Sequence, residues 1–328
     1  MHVLLEQLKQ VFADELISKL EVVQSLWSGY GEIARYHSPR LGKNIIVKQV
    51  SPPAQVSHPR GWNTQNSHLR KLKSYQVESE FYRYYADKCD ENCKVPGLLA
   101  CIDDGVQCSL VLEDLDVIGF TARRSGVTIA QSKLAIRWLA YFHARFFNIA
   151  AQTLWPVGTY WHLATRQDEW AAMPEGDLKQ GAAKISGALN SAKFQTLVHG
   201  DGKLANFCFH HAKPTLAAVD FQYVGKGAGI VDLAYLLGGC FSDEDLFKHE
   251  KPLLTYYFAQ LAQGLKHYKI DCDFRALETE WRLLYPLAWA DFYRFLQGWS
   301  PGHDKINAYM HHQGDVALSY LRHLSTQE

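Results

Sequence analysis

The sequence lacks an excess of charge of either sign, because 34 lysines and arginines balance 34 aspartates and glutamates over 328 residues. Proteins that hold nucleic acid through its phosphates usually carry a basic surface, so a nucleic-acid partner is not expected. No apolar run approaches the roughly 20 residues that span a bilayer, and the acidic, amphipathic N-terminus is unlike a secretory signal. We therefore expect a cytoplasmic protein without a membrane partner.

The sequence also lacks a cysteine framework. Seven cysteines cannot all pair internally, and we expect reduced thiols. The C-x2-C spacing typical of structural zinc sites is missing from the one cysteine-rich stretch, which contains Cys89, Cys93, Cys101 and Cys108. A G-x-G-x-x-G sequence between a strand and a helix is missing too, so an oxidoreductase or a thioester-handling enzyme has no support.

Apolar residues make up 47% of the chain and charged residues 21%, which is ordinary for a folded globular protein of one large domain or two lobes. Apolar spacing predicts a helix over residues 4–20 and three antiparallel strands over 22–27, 33–37 and 44–50. Residues 51–67 are predicted to form a loop. The same reasoning predicts these further elements: helices over 69–88, 129–148, 177–193, 253–269 and 277–298, a helix beginning at 230–237, and strands over 98–104 and 108–112.

One polar segment carries the residue types of phosphoryl transfer. It reads LVHGDGKLANFCFHHAKPTLAAVDFQ over residues 197–222. Asp201 and Asn206 lie five positions apart, and Asp220 ends an apolar run. Two carboxylates and an amide oxygen can hold a hard cation and an acceptor hydroxyl together. Phosphoryl transfer depends mostly on such positioning and charge neutralisation.

This segment resembles the HGDxxxxN and DFx motifs of the aminoglycoside phosphotransferase and choline kinase superfamily, and its DFQ ending is most similar to the ecdysteroid kinase-like branch. The resemblance implies an α+β, protein-kinase-like bilobal fold. Its N-lobe, residues 1–113, would hold a small antiparallel β-sheet, and its C-lobe, residues 114–328, would be mainly helical. The resemblance also implies ATP and Mg²⁺ as cofactors and a small-molecule hydroxyl acceptor.

Upstream residues fit the nucleotide side of such a site. Gly29 and Gly31 stand at a predicted hairpin tip, where small residues let backbone N–H groups approach phosphate, although a plain turn has the same composition. The resemblance makes Lys48 the strand lysine that contacts the α- and β-phosphates, whereas the alternative is a solvated edge lysine. Glu78 would be its helix partner, since burying either charge alone is costly. Glu80 is the competing candidate.

The resemblance also assigns roles at the hinge and at the metal site. The backbone of Glu113 to Leu115 would contact the purine, and Asn206 and Asp220 would bind the metal. Aminoglycoside phosphotransferases have a second acid at the position of Gln222, so the number of metal ions stays open.

Asp201 is the predicted catalytic base in this comparison. Lys203 would neutralise charge on the transferred phosphoryl group, or else it is an exposed loop lysine. Asp232 would brace the catalytic loop, or else it is an acid that favours a helix N-terminus. His143 on an apolar helix face is more typical of a hydrogen-bonded core residue.

The sequence thus predicts an ATP-dependent, Mg²⁺-requiring small-molecule O-phosphotransferase. Only about ten residues separate Asp220 from the helix of Asp232, which leaves no room for an activation loop and disfavours a protein substrate. The alternative is a catalytically silent, kinase-like module that binds nucleotide or metabolite. The acceptor stays open among choline-like, steroid, aminoglycoside and sugar alcohols. Aromatic residues spaced along 281–296 would either form core or line its pocket.

Overall fold

The computed structural model describes residues 2–26, 29–51, 65–103 and 108–325. The chain divides into two compact units. The first consists of Met1–Asp90, Lys94–Ala122 and Cys208–Gln222, and the second of Glu91–Cys93, Arg123–Phe207 and Tyr223–Glu328. The division into lobes after residue 113 stays a prediction.

The first unit is built on a five-stranded antiparallel sheet with the order β1-β2-β3-β5-β4. Its strands are β1 (Ser18–Ser25), β2 (Gly31–Ser38), β3 (Lys43–Val50), β4 (Leu98–Asp103) and β5 (Cys108–Glu113). In β3, Lys48 lies opposite Ile33 of β2 and Leu110 of β5. The expected small antiparallel sheet is therefore confirmed, and its central strand carries the predicted phosphate-binding lysine.

The first helix, α1 (His2–Phe12), is shorter than the helix predicted over residues 4–20. Ala13 follows it with a positive φ of 47°. The buried carboxylate of Asp14 then accepts hydrogen bonds from Ser38 Oγ at 2.6 Å and from the backbone N–H of Leu16 at 3.1 Å. These tertiary bonds override the helical apolar spacing, and the chain enters β1 instead. Leu4 and Leu8 of α1 pack on the sheet.

Helix α2 (Gln65–Tyr84) connects β3 to β4 and is close to the helix predicted over 69–88. A short 3-10 turn, Ala86–Lys88, follows it. Most of the predicted loop over 51–67 lies outside the described residues, as do Trp27, Ser28 and the predicted turn at Gly105.

The second unit is mainly helical, as predicted. Its helices are α3 (Ile129–Arg145), α4 (Gln167–Ala172), α5 (Asp177–Asn190), α6 (Ile230–Cys240), α7 (Asp243–His267), α8 (Phe274–Trp299) and α9 (Ala308–Ser325). Two short strand pairs flank the polar segment: β6 (Thr196–Val198) with β9 (Gly225–Gly227), and β7 (Phe207–Phe209) with β8 (Leu216–Ala218). Part of the β7–β8 pair, from Cys208 on, belongs to the first unit.

Three helices of the second unit differ from the sequence predictions. The short α4 was not predicted. Helix α7 begins ten residues before the predicted start at 253, because Ser242 caps it and three acids occupy its first turn. Pro252 therefore lies inside the helix. Helix α9 was not predicted. Asn307 accepts a hydrogen bond from the backbone N–H of Met310 in its first turn, and Tyr309 and Met310 are buried.

The aromatic stripe of α8 is core. Trp281, Tyr285, Trp289, Phe292 and Phe295 are all at most 4% exposed. Among the helices of the described chain, none combines the length and the apolar character needed to cross a membrane.

Candidate active site

Lys48 and Glu78 form a buried ion pair in the first unit. Lys48 Nζ lies 2.6 Å from Glu78 Oε2, and their side chains are 6% and 2% exposed. Burial opposes the charge on Lys48, but the carboxylates of Asp220 and Glu78 outweigh it, so the pKa of the Lys48 ammonium is raised. Glu80 is instead 3.9 Å from Arg83. The structure therefore brings the predicted lysine together with Glu78 rather than with its competitor.

Asp220, Phe221 and Gln222 form a turn, here named the DFQ turn, and it brings Asp220 to Lys48. Lys48 Nζ donates to Asp220 Oδ1 at 3.2 Å. Asp220 has a φ of 67°, an unfavourable conformation for a residue with a side chain. Phe221 holds the turn in place, since it is fully buried and stacks on Phe81 of α2 with ring centroids 3.9 Å apart. Strained backbone of this kind is concentrated at functional sites.

Gln222 completes the cluster in the first unit. Its amide nitrogen donates to Asp220 Oδ1 at 2.7 Å, and its oxygen accepts from Lys71 Nζ and Ser74 Oγ, both at 3.2 Å. We name Lys48, Glu78, Asp220 and Gln222 the Lys48 cluster. Sequence reasoning missed Lys71, although it lies seven residues before Glu78 and thus on the same face of α2.

The second unit holds the other half of the predicted site, the loop His199–Asn206. Gly200 turns the chain out of β6 with a φ of 77°, and a side chain there would collide with the carbonyl oxygen of Tyr223. Asp232 of α6 is fully buried and accepts from the backbone N–H groups of His199 at 2.5 Å and Gly200 at 2.9 Å. The bracing contact implied by the resemblance is therefore present.

His143 supports this brace. Its ring is fully buried, and its Nε2 and Nδ1 lie 3.1 Å from Asp232 Oδ2 and 2.7 Å from the hydroxyl of Tyr257. This agrees with the prediction of a hydrogen-bonded core histidine. The structure adds that His143 acts on the loop through Asp232.

Three side chains hold the carboxylate of Asp201. Lys203 Nζ and Asn206 Nδ2 donate to Oδ2 at 2.8 and 3.2 Å, and the hydroxyl of Tyr235 donates to Oδ1 at 3.0 Å. Burial raises the pKa of the Tyr235 hydroxyl well above its ordinary value, so it keeps its proton and acts as a donor. Sequence reasoning missed Tyr235, which lies one helical turn after Asp232.

A second lysine lies against Tyr235, one of the side chains that hold this carboxylate. Lys305 Nζ lies over the rings of Tyr235 and Phe292, 4.6 and 5.5 Å from their centroids. Burial lowers the pKa of the Lys305 ammonium, which also feels attraction from Asp201 and repulsion from Lys203. Sequence reasoning assigned residues 299–305 only to the end of a helix, so Lys305 was missed as well.

The remaining predicted residues show structural roles. A side chain at Gly31, with its φ of 130°, would collide with the carbonyl oxygen of Gln49, whereas Gly29 is exposed. Glu113 accepts from Lys94 Nζ at 2.7 Å, and Leu115 is buried beside Phe120. Their contacts with nucleotide stay predictions.

The cysteine-rich stretch and the pair Asn206 and Asp220 are the two places that bear on metal binding. Among the described residues, no group of three histidine, cysteine or acidic side chains could hold a metal ion. Cys108 has no described side chain. Asn206 and Asp220 belong to different units, so their joint role as magnesium ligands stays a prediction.

The comparison with known families bears on the polar segment. Residues 165–270 match the model of the ecdysteroid kinase-like family. This match confirms the predicted resemblance to that branch of the aminoglycoside phosphotransferase and choline kinase superfamily. The matched residues include Asp201, Asn206, Asp220 and Asp232. A comparison with curated proteins gives no match.

Several solved structures are similar to this chain. The amicoumacin kinase hAmiN in complex with AMP-PNP, Ca²⁺ and Ami is 13% identical with a TM-score of 0.45, over 98% of this chain and 93% of that one. An aminoglycoside-3'-phosphotransferase of type VIII is 15% identical with a TM-score of 0.44, over 87% and 97%. The aminoglycoside phosphotransferase APH(3'')-Id from Streptomyces rimosus, in complex with ADP and streptomycin, is 15% identical with a TM-score of 0.44, over 88% and 98%.

Proposed function

We propose that this protein is an ATP-dependent small-molecule kinase that transfers the γ-phosphoryl group to a hydroxyl of its acceptor. The observation that carries the proposal is the buried ion pair of Lys48 and Glu78, in which Lys48 also contacts the partly exposed carboxylate of Asp220. Burying these charges costs several kcal/mol per ion unless they are well paired, and apolar residues would usually fill the space at least as well. A binding role for phosphate explains why the charges are there.

On the nucleotide side, Lys48 is the group that would contact phosphate oxygens. Glu78 fixes its ammonium at 2.6 Å, and the stacked Phe221 fixes the position of Asp220. The lysine is therefore oriented before the nucleotide binds, which lowers the entropy lost on binding.

On the acceptor side, Asp201 is the group that would take the hydroxyl proton. As the acceptor oxygen bonds to the γ-phosphorus and the bond to the β,γ-bridging oxygen breaks, the proton passes to an oxygen of the Asp201 carboxylate. Tyr235 and Asn206 keep this carboxylate in one orientation. Lys203, already at the carboxylate, would neutralise charge on the transferred group.

The donor atoms of the two motifs suit magnesium. Asp220 supplies a carboxylate, and Asn206 supplies an amide whose nitrogen already donates to Asp201, so that its oxygen is available. Both are hard oxygen ligands of the kind that Mg²⁺ prefers. Bound Mg²⁺ would neutralise charge on the nucleotide phosphates.

Charge around Asp201 favours an uncharged or anionic acceptor alcohol. Lys203 Nζ lies 2.8 Å from the Asp201 carboxylate, and Lys305 Nζ lies 4.6 Å from the ring centroid of Tyr235, whose hydroxyl donates to the same carboxylate. Two ammonium groups therefore accompany one carboxylate there. A choline-like or aminoglycoside cation would bring a further positive charge and be repelled. Of the acceptor classes that the sequence leaves open, steroid and sugar alcohols suit these residues better.

Radiolabelled ATP tests the proposal directly. The protein is incubated with Mg²⁺ and [γ-³²P]ATP against panels of sterols, sugars, amino alcohols and aminoglycosides, with Asp201→Asn as the matched variant. We expect label in at least one alcohol and a loss of at least a hundredfold in the variant. Nucleotide binding without incorporation into any panel would favour the silent binding module. Incorporation that survives in Asp201→Asn would remove Asp201 from its proposed role.

A further inference from the structure

One face of α2 points its polar side chains at the DFQ turn. Lys71, Ser74 and Glu78 are spaced by three and four residues and therefore lie on the same side of the helix. Lys71 and Ser74 donate to Gln222, and Glu78 pairs with Lys48. Helix α2 thus presents to the turn Glu78, which holds the Lys48 ammonium that the proposed function uses, and Lys71, which that function does not use.

The orientation of Gln222 is set by what surrounds it. Its amide nitrogen donates to Asp220 Oδ1 at 2.7 Å, which turns its oxygen toward Lys71 and Ser74. Lys71 and Ser74 together use both lone pairs of the amide oxygen, so this oxygen could bind a cation only if one of the two donors left. Gln222 therefore acts as a donor to Asp220 and an acceptor for Lys71, and not as a metal ligand.

Lys71 is held at this place by a second contact. Its Nζ lies over the ring of Tyr75, 4.8 Å from the centroid, and Tyr75 is buried. Lys71 is also close enough to act electrostatically on the Glu78 carboxyl. Asp220 and its immediate neighbours thus comprise the two ammonium groups of Lys48 and Lys71 and the two carboxylates of Asp220 and Glu78. The ammonium of Lys71 would repel a further divalent cation beside it.

We propose that Lys71 takes the place of a second divalent cation, so that the nucleotide-loaded protein binds one divalent cation per nucleotide. In two-metal sites, a pair of divalent ions stabilises the attacking and leaving oxygens of the transferred group. Here a lysine on α2 provides positive charge on the Gln222 side of Asp220. This inference rests on the proposed function, because it concerns the protein with bound nucleotide.

Manganese replaces magnesium as the probe, since free Mn²⁺ can be counted by electron paramagnetic resonance. The full-length protein is saturated with AMP-PNP and titrated with Mn²⁺, and bound Mn²⁺ is divided by bound nucleotide measured on the same sample. We expect a ratio of one for the unmodified protein. We expect two for the double variant Gln222→Glu/Lys71→Ala, which supplies a carboxylate and removes the ammonium.

Two single variants serve as controls. Lys71→Arg keeps the charge, so the ratio should stay at one. Lys73→Ala removes a lysine from the same helix that contacts Gln76 at the surface, and its ratio should also stay at one. Melting temperatures without ligand check that each variant is folded.

The outcomes separate this inference from the proposed function. A ratio of two in the unmodified protein would overturn the inference and leave the kinase proposal intact. A ratio that stays at one in the folded double variant would also overturn it, since Lys71 would then not be what excludes the second ion. Failure of the unmodified protein to bind AMP-PNP would count against the proposed function itself.

Discussion

Lys48 carries its charge at a place where only 6% of its side chain reaches solvent. Removal of one member of a buried ion pair leaves the other unpaired, which usually costs about 3–5 kcal/mol. We predict that Lys48→Met and Glu78→Leu each lower the free energy of unfolding by about this amount. The double variant should cost clearly less than the sum of the two. Urea unfolding monitored by circular dichroism measures all three, and additive losses would contradict the pairing.

Lys305 shows the opposite balance, because its pKa is lowered by burial. The pKa of a lysine in an unfolded chain is about 10.4. At a pH below both this value and the lowered pKa of the folded state, Lys305 is charged in both states, and the whole shift lowers the free energy of unfolding. This destabilisation disappears as the pH rises from the folded to the unfolded pKa. We therefore predict that Lys305→Met raises the melting temperature by a few degrees at pH 7 and that the gain shrinks toward pH 10.5.

The control for this prediction is Lys251→Met, since Lys251 is an exposed lysine of α7. Its melting temperature should follow that of the unmodified protein at every pH. A Lys305→Met variant that is less stable than the unmodified protein at pH 7 would show that the contacts with Tyr235 and Phe292 outweigh the cost of burial.

Helix α6 stabilises the Asp201 loop through one side chain. Asp232 accepts two backbone N–H groups and His143, and each buried group left unpaired costs about 1–3 kcal/mol. We predict that Asp232→Ala lowers the free energy of unfolding by at least about 3 kcal/mol, the lower end of this range summed over the three groups. Asp232→Asn, which keeps one oxygen, should cost less.

Hydrogen exchange locates this effect. Amides of residues 199–206 should exchange faster in Asp232→Asn than in the unmodified protein, whereas those of β3 in the first unit should not change. Equal acceleration in both places would mean that the variant unfolds as a whole and that Asp232 has no specific action on the loop.

The accuracy of the sequence predictions depended on how local their signals were. The strands of the sheet and the start of α3 were placed within a few residues, because strand alternation and helical apolar spacing are local signals. The end of α1 was wrong, since Asp14 bonds to Ser38 on another strand. Helix α7 begins ten residues before its predicted start, because the Ser242 N-cap and the acidic first turn were not used in the prediction.

The residues of the candidate site were likewise predicted where their motif is local in sequence and missed where it is not. Lys48, Glu78 and the residues of the HGDxxxxN motif were identified from the resemblance, and the structure joins Lys48 with Glu78 and Asp201 with Asn206. Lys71 and Lys305 were missed because their partners are distant in sequence. Lys71 contacts Gln222, more than a hundred positions away, and Lys305 lies over Tyr235, about seventy positions away. No local pattern distinguishes such lysines from solvated ones.

The whole protein should select its acceptor by charge. We predict that choline is a poorer acceptor than its neutral isosteric alcohol, because Lys203 and Lys305 accompany Asp201. Lys305→Glu should shift this preference toward choline by about tenfold or more, a difference of about 1.4 kcal/mol. ATP-dependent phosphate incorporation into the two alcohols measures both effects. A preference for choline in the unmodified protein would contradict the charge argument.

Binding of Mg·ATP through the Lys48 cluster can be measured as a thermal shift with nucleotide. A ligand that binds only the folded state at a hundredfold excess over its Kd adds about 2.7 kcal/mol of stability. We predict that Mg·AMP-PNP raises the melting temperature of the unmodified protein by several degrees and that Asp220→Ala abolishes the shift. An absence of any shift in the unmodified protein, across adenine and guanine nucleotides, would contradict the account.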